Sequence, residues 1–179
     1  MDLAPETLKK IESLFPKYPD KRSLTLPLCH LVQEDQGYLS DEAMKWIAAK
    51  LEIEPMKVLE VVSFYPMFRR KPIGKVHIKV CRTLSCALNG AYKVCEQLED
   101  ALACKRGATS EDGNYTIEFV ECIADCGKGP VVQVDDRLYE NCTPDQLEDL
   151  IARIKEAASA EPGAACKAAP EPGTPAYKG

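Results

Sequence analysis

An α+β fold, with a small helical bundle in front of a layer of strands and helices, is what this 179-residue sequence predicts. Two observations carry the prediction. Apolar residues recur at helical spacing through residues 1–72, and after Arg69-Arg70-Lys71-Pro72-Ile73-Gly74 the period shortens to that of a strand. Two short strand-like runs then each lead straight into a cysteine pair, Cys81-x4-Cys86 and Cys122-x3-Cys126, with a helical stretch between them.

The helical part comes first. Pro5 suits the opening turn of a helix whose Leu8, Ile11, Leu14 and Phe15 share one face. Phe15-Pro16 and Tyr18-Pro19 stop it, because a residue before proline is pushed out of the α region. Leu24, Leu28, Leu31 and Val32 mark a second helix ending near Gly37. Ser40 is placed to cap a third, which carries Met44, Ile47, Ala48 and Leu51. Pro55 opens a fourth, with Val58, Leu59 and Val62.

The mixed part follows. Val76, Ile78 and Val80 alternate with Lys75, His77 and Lys79, which predicts a strand with one buried face running into Cys81. From Ala87 to Cys104, the apolar positions Leu88, Ala91, Val94, Cys95, Leu98 and Leu102 return to helical spacing. Gly107 and Glu111-Asp112-Gly113-Asn114 are turn chemistry, and residues Tyr115 to Glu121 form a second strand that meets Cys122. Val131 to Val134 and Arg137 to Tyr139, joined by Asp135-Asp136, predict a hairpin. Thr143 as N-cap and Pro144 in the first turn start a last helix with Leu147, Leu150, Ile151 and Ile154 apolar. The order β-α-β-β-β-α over residues 73–158 is that of an α+β or α/β sandwich of the thioredoxin type. Residues 159–179 are mostly Ala, Pro and Gly, too poor in apolar surface to fold alone, and read as a tail on the domain or on a partner.

Composition narrows the function classes. Hydrophobic residues at 45% and charged residues at 28% are ordinary for a globular protein. A net charge of −5 gives no general attraction to nucleic acid or to an anionic membrane. No apolar run approaches the ~20 residues that span a bilayer, so direct membrane insertion is not expected. The start Met1-Asp2-Leu3-Ala4-Pro5 has neither the basic residues nor the apolar core of a signal peptide, and a cytosolic setting is expected. In that reducing compartment, nine cysteines read as metal ligands or redox groups rather than as a disulfide framework.

A cluster of two irons needs four thiolates, two per iron, on backbone rigid enough to hold the pairs apart. Two loops leaving two strand ends supply that arrangement. The gaps inside Cys81-x4-Cys86 and Cys122-x3-Cys126 are wider than the C-x2-C knuckle of structural zinc sites, although spacing alone leaves zinc open. Plant-type ferredoxins place a third ligand three positions after C-x4-C, where this chain has Asn89, so the ligands must divide two and two. Thr83 and Ser85 offer hydroxyls to sulfur, Gly127 and Gly129 let backbone N–H groups approach, and Arg82 and Lys128 either add positive charge or are ordinary loop residues. No G-x-G-x-x-G opens a helix after a strand, and no Walker-type loop is present, so the chain carries no dinucleotide fingerprint.

The segments Val80-Cys81-Arg82-Thr83-Leu84-Ser85-Cys86 and Val120-Glu121-Cys122-Ile123-Ala124-Asp125-Cys126-Gly127-Lys128-Gly129-Pro130 resemble the thioredoxin-like 2Fe–2S subunit of bacterial respiratory complex I, NADH:quinone oxidoreductase. Gly37-Tyr38-Leu39, Ser63-Phe64-Tyr65-Pro66-Met67-Phe68, Asp112-Gly113 and Thr143-Pro144 extend the resemblance across most of the chain. The family usually has Ala before the proline that follows the second pair; here it is Gly129. The resemblance implies that Cys81, Cys86, Cys122 and Cys126 ligate one 2Fe–2S cluster and that the chain holds no catalytic residue of its own. It implies an electron-transfer subunit of an NADH dehydrogenase, with FMN and NADH on a neighbouring flavoprotein subunit and a further iron–sulfur subunit as partner. Its expected place is the cytoplasmic side of the inner membrane, in a peripheral arm. The same subunit type occurs in NAD-linked (bifurcating) hydrogenases and formate dehydrogenases.

Two other classes stand beside this reading. A thiol–disulfide oxidoreductase would carry C-x-x-C at a helix start, which C-x4-C does not match, and a zinc-stabilised interaction module is disfavoured by the spacing. Cys29, Cys95 and Cys104 fall on or beside apolar helix faces and are expected to be core packing. Phe64, Tyr65 and Phe68 read as bundle core ahead of a partner contact, and His30 and His77 as structural or exposed. Cys142 and Cys166 either pair, pinning the tail across the domain, or stay as two free thiols.

Overall fold

The computed structural model describes residues 2–159, which leaves the 160–179 part of the tail and Cys166 outside the described residues. The chain divides into two compact units at Pro72–Ile73.

The first unit packs four helices, α1 (Pro5–Leu14), α2 (Thr25–Gln36), α3 (Asp41–Leu51) and α4 (Pro55–Phe64). Local chemistry sets their ends. Gly37, with φ +81°, takes the left-handed turn that closes α2, and its N–H reaches the Gln33 carbonyl at 2.8 Å. The Ser40 hydroxyl accepts the Ala43 N–H at 3.0 Å and caps α3. Ile11, Leu28, Val32, Leu39, Ile47 and Val58 are fully buried between the helices. Each such side chain contributes about 1.5–3 kcal/mol of burial. The Gln33 side chain then fixes the exit from α4, donating to the Met67 carbonyl at 2.9 Å and accepting the Arg69 N–H at 2.7 Å. Phe64 departs from the sequence expectation: Phe68 is buried, but Phe64 stands 77% exposed at the last turn of α4.

The second unit is a five-stranded sheet in the order β2-β3-β1-β4-β5. Its strands are β1 (Val76–Cys81), β2 (Ala108–Thr109), β3 (Tyr115–Val120), β4 (Val132–Val134) and β5 (Arg137–Tyr139), with α5 (Leu84–Leu88), α6 (Ala91–Ala101) and α7 (Leu147–Ser159). β1 and β3 are parallel, and the other neighbours are antiparallel. A parallel pair needs a crossover, which α5 and α6 supply. Val76, Ile78 and Val80 from β1 form one core with Val94, Cys95 and Leu98 of α6 and Leu150 and Ile154 of α7.

Four details differ from the sequence reading. β1 is buried on both faces, because it lies in the middle of the sheet: His77 is buried, with its Nε2 2.8 Å from Glu118 Oε1. The single helix expected from Ala87 is two, since Gly90 takes φ +99° between α5 and α6; Leu88 is thereby left 79% exposed instead of core. Thr143 makes no side-chain cap, and a 3-10 turn at Pro144–Gln146 leads into α7 instead. The two-residue edge strand β2 went unseen, being too short to show a period.

Candidate metal centre

Strand polarity brings the two cysteine pairs to one end of the sheet. β1 and β3 run parallel with Cys81 opposite Val120, so the loops that leave them emerge side by side at the carboxyl edge. Cys81 ends β1 and Cys86 lies in α5, each 2% exposed. Cys122 and Cys126 are exposed on the second loop, Cys126 opening a 3-10 turn that ends at Lys128.

Within each pair the thiols meet. Cys122 Sγ and Cys126 Sγ are 3.7 Å apart. Two thiolates on one tetrahedral metal, with bonds of about 2.3 Å, stand about 3.8 Å apart. The thiols of Cys81 and Cys86 also hydrogen-bond to each other. Among the described residues no three or more His, Cys, Asp or Glu side chains gather as the ligands of one ion would, so the thiols come together in twos.

The sulfurs are surrounded by donors. Thr83 Oγ1 lies 3.3 Å from Cys81 Sγ, and the Ala124 N–H points at Cys122 Sγ from 3.3 Å. Ala124 makes that contact from a left-handed backbone conformation, φ +69°, which alanine seldom adopts. Burial alone would raise the Cys81 thiol, but hydrogen bonds from the Thr83 hydroxyl and from the Thr83 and Ile123 N–H groups hold it below the ordinary value. Cys122 is lowered by the Ala124 N–H, the Cys126 thiol and the Thr83 hydroxyl. Cys86 is raised by burial and by its bond to Cys81, and Cys126 is raised by its bond to Cys122 and the charge there. Each pair thus has one thiol held below its ordinary value beside one held above it. Backbone N–H groups aimed at sulfur favour anionic sulfur, which is what an iron–sulfur cluster presents.

Several flanking residues act differently from their sequence expectation. The Ser85 hydroxyl leaves sulfur alone and donates to the Cys126 carbonyl at 2.8 Å. Arg82 pairs with Glu121, Nη2 to Oε1 at 2.5 Å, and Lys128 pairs with Glu140 at 2.9 Å, so both charges are balanced locally. A side chain at Gly127 would meet nothing within 4 Å, whereas a Cβ at Gly129 would stand 3.2 Å from Cys86 Sγ. Gly129 therefore leaves room for a cysteine sulfur. The N–H groups of Ile123, Ala124 and Val131 were missed by sequence reasoning, because main-chain donors carry no residue-type signal.

The remaining thiols of the described residues are buried. Burial pushes Cys29 up to about 12 and Cys95 and Cys142 up to about 11. Cys104 is raised for the same reason and faces the Ala108 and Tyr115 carbonyls at 3.5 Å. The Cys142 thiol donates to the Tyr139 carbonyl at 3.3 Å. His30 packs against Phe68 with ring centres 4.9 Å apart and the rings tilted by 57°. No helix among the described residues is long and apolar enough to cross a membrane.

Known proteins share this arrangement of sequence and fold. The profile of the family described as thioredoxin-like [2Fe-2S] ferredoxin matches residues 11–155. The chain is 36% identical over 153 residues to the E-type subunit of NADH-quinone oxidoreductase from Rickettsia bellii, covering 84% of this chain and 92% of that protein. It is 34% identical over 155 residues to the corresponding NADH-quinone oxidoreductase subunit of Mycobacterium bovis, covering 84% of this chain and 62% of the relative. Among solved structures, an NAD+-reducing [NiFe]-hydrogenase in its H2-reduced state superposes with a TM-score of 0.61 at 18% identity, over 74% of this chain and 22% of the other, a likeness of fold. With its family profile matched from the first helix to the last, the chain belongs to the thioredoxin-like [2Fe-2S] ferredoxins.

Proposed function

We propose that Cys81, Cys86, Cys122 and Cys126 hold one 2Fe–2S cluster and that the chain is the electron-transfer subunit of an NADH:quinone oxidoreductase. The observation that carries this reading is the two-and-two gathering of thiols at the ends of parallel strands, with Cys122 and Cys126 already at the 3.7 Å that a shared tetrahedral iron requires. The identity over most of the chain to E-type subunits of NADH-quinone oxidoreductase supports the choice of complex.

When bound, the cluster supplies reversible uptake of one electron. The chain's own residues hold and tune it. Cys81 and Cys122, already lowered, ionise first, and the N–H groups of Ile123, Ala124 and Val131 stabilise negative sulfur. Burial of Cys81 and Cys86 keeps one side of the centre dry, and the exposed Cys122 and Cys126 leave the other side open to a partner. FMN and NADH belong to a flavoprotein subunit beside this open side, with a further iron–sulfur subunit beyond it, in a peripheral arm on the cytoplasmic face of the inner membrane. Leu84 and Leu88, 75% and 79% exposed on either side of Cys86, supply apolar surface for that contact.

Anaerobic purification followed by absorption and electron-paramagnetic-resonance spectra tests the cluster. A colourless protein with one zinc would end this reading. Purification with a flavoprotein and a quinone-linked membrane arm is the expected result for the complex, and recovery with hydrogenase subunits would replace it.

A further inference from the structure

The two cysteine loops are joined at their base by main-chain bonds, Cys81 N–H to the Val131 carbonyl and Arg82 N–H to the Val120 carbonyl, each 3.1 Å. Further out, side chains make the connection. The Arg82–Glu121 ion pair is exposed at both ends, 51% and 72%, and such pairs hold weakly in water. The Thr83 hydroxyl and the Ile123 N–H reach across to the sulfurs of Cys122 and Cys81, and Ser85 makes a link that involves no sulfur, its hydroxyl donating to the Cys126 carbonyl at 2.8 Å. Ser85 is itself held, because its own carbonyl accepts the Asn89 side-chain amide at 2.8 Å and the Asn89 N–H at 3.2 Å. The next residue is Cys86, whose sulfur occupies the space beside Gly129 that a Cβ there would crowd at 3.2 Å. One hydroxyl thus ties the backbone carrying the second cysteine of the first pair to the second cysteine of the other.

We propose that Ser85 is a positioning residue for the metal centre: its bond to the Cys126 carbonyl sets the separation of the two cysteine pairs at the outer end of the loops. This rests on the four cysteines being the ligands of one cluster. Each pair serves one iron, so the distance between pairs must match the span of the cluster, and a looser tip changes both fit and solvent exposure. Exposure and hydrogen bonding around the sulfurs are what tune the reduction potential. The bond carries no charge and touches no sulfur, so it acts on geometry alone.

The test uses the full chain produced together with the flavoprotein subunit, as Ser85→Ala, Ser85→Thr and Ser85→Val. The readouts are the rate of iron loss to a chelator, the midpoint potential from a dye-mediated titration and the paramagnetic line shape. Loss of the hydroxyl in Ser85→Ala and Ser85→Val is expected to speed iron loss about tenfold or more and to shift the potential, as removal of outer partners at metal sites does. Ser85→Thr keeps the hydroxyl and should stay with the parent protein. A Ser85→Ala protein with unchanged rate and potential overturns the proposal. So does a Ser85→Thr protein that behaves like Ser85→Val, since side-chain shape would then be responsible. Should Ser85→Ala fail to fold, the comparison of Thr with Val, equal in shape and differing in the hydroxyl, decides the question. A parent protein without a cluster defeats the reading of the cysteines, whereas a loaded parent with three indistinguishable variants defeats only the role of Ser85.

Discussion

Cys86 and Cys95 are both buried cysteines of the second unit, yet their surroundings assign them different work. Cys86 meets the Cys81 thiol and the Val131 N–H, while Cys95 is raised to about 11 chiefly by burial within the α6 face. Replacing Cys86 or Cys126 by Ala should abolish the paramagnetic signal of the reduced protein, and Cys95→Ala should keep it. Equal spectra for all three would show that the ligands had been assigned wrongly. The thiols also differ in when they ionise. A thiol held below its ordinary value becomes thiolate at lower pH, so in cluster-free protein Cys122 should be alkylated by iodoacetamide from a lower pH than Cys126, both being exposed. Cys29, pushed up to about 12, should stay unmodified until the protein unfolds. Mass spectrometry across a pH series reads this order, and Cys126 leading Cys122 would contradict it.

Elements place these residues. β1 stands at the centre of the sheet and carries Cys81, the first of the proposed ligands, so its packing should be felt throughout the second unit. Ile78→Ala, at a fully buried position of β1, should lower stability by about 2–5 kcal/mol in urea unfolding, the range for large-to-small core changes. Gly90 makes the break between α5 and α6 with φ +99°, a conformation that costs an L-residue about 1–2 kcal/mol. A Cβ there would meet the Pro144 ring at 3.5 Å, ordinary contact, so the cost of Gly90→Ala should be backbone strain and appear as a lowered melting temperature. An unchanged melting curve would mean that the turn can be remade without the left-handed residue. The same break explains why helical periodicity runs on through this region: Leu88 and Ala91 fit one period, and only the turn at Gly90 puts them on separate helices.

At the level of the assembly, Leu84 and Leu88 present apolar surface beside the centre that, among the described residues of the second unit, no element covers. Leu84→Glu together with Leu88→Glu should leave the cluster spectrum intact while reducing the amount of flavoprotein subunit that co-purifies. Full recovery of the flavoprotein would place the contact elsewhere. Most of the molecular plan could be read from residue order, including the bundle, the strands leading into cysteines and the pairing of those cysteines. These are local properties: periodicity follows from backbone geometry, caps from side chains within a few residues, and cysteine spacing from adjacency along the chain. Alternation reported that the two faces of β1 differ, but not that His77 on the second is also buried, with Glu118 of the neighbouring strand β3 at its ring, Nε2 to Oε1 at 2.8 Å. The convergence of the two loops depends on the parallel register of β1 and β3, a long-range pairing that no window of sequence contains. The direction of the Ser85 hydroxyl, the balancing of Arg82 and Lys128 and the main-chain donors at sulfur arise from that same convergence. They are contacts between residues far apart in the chain, and they exist only once the two strands lie side by side.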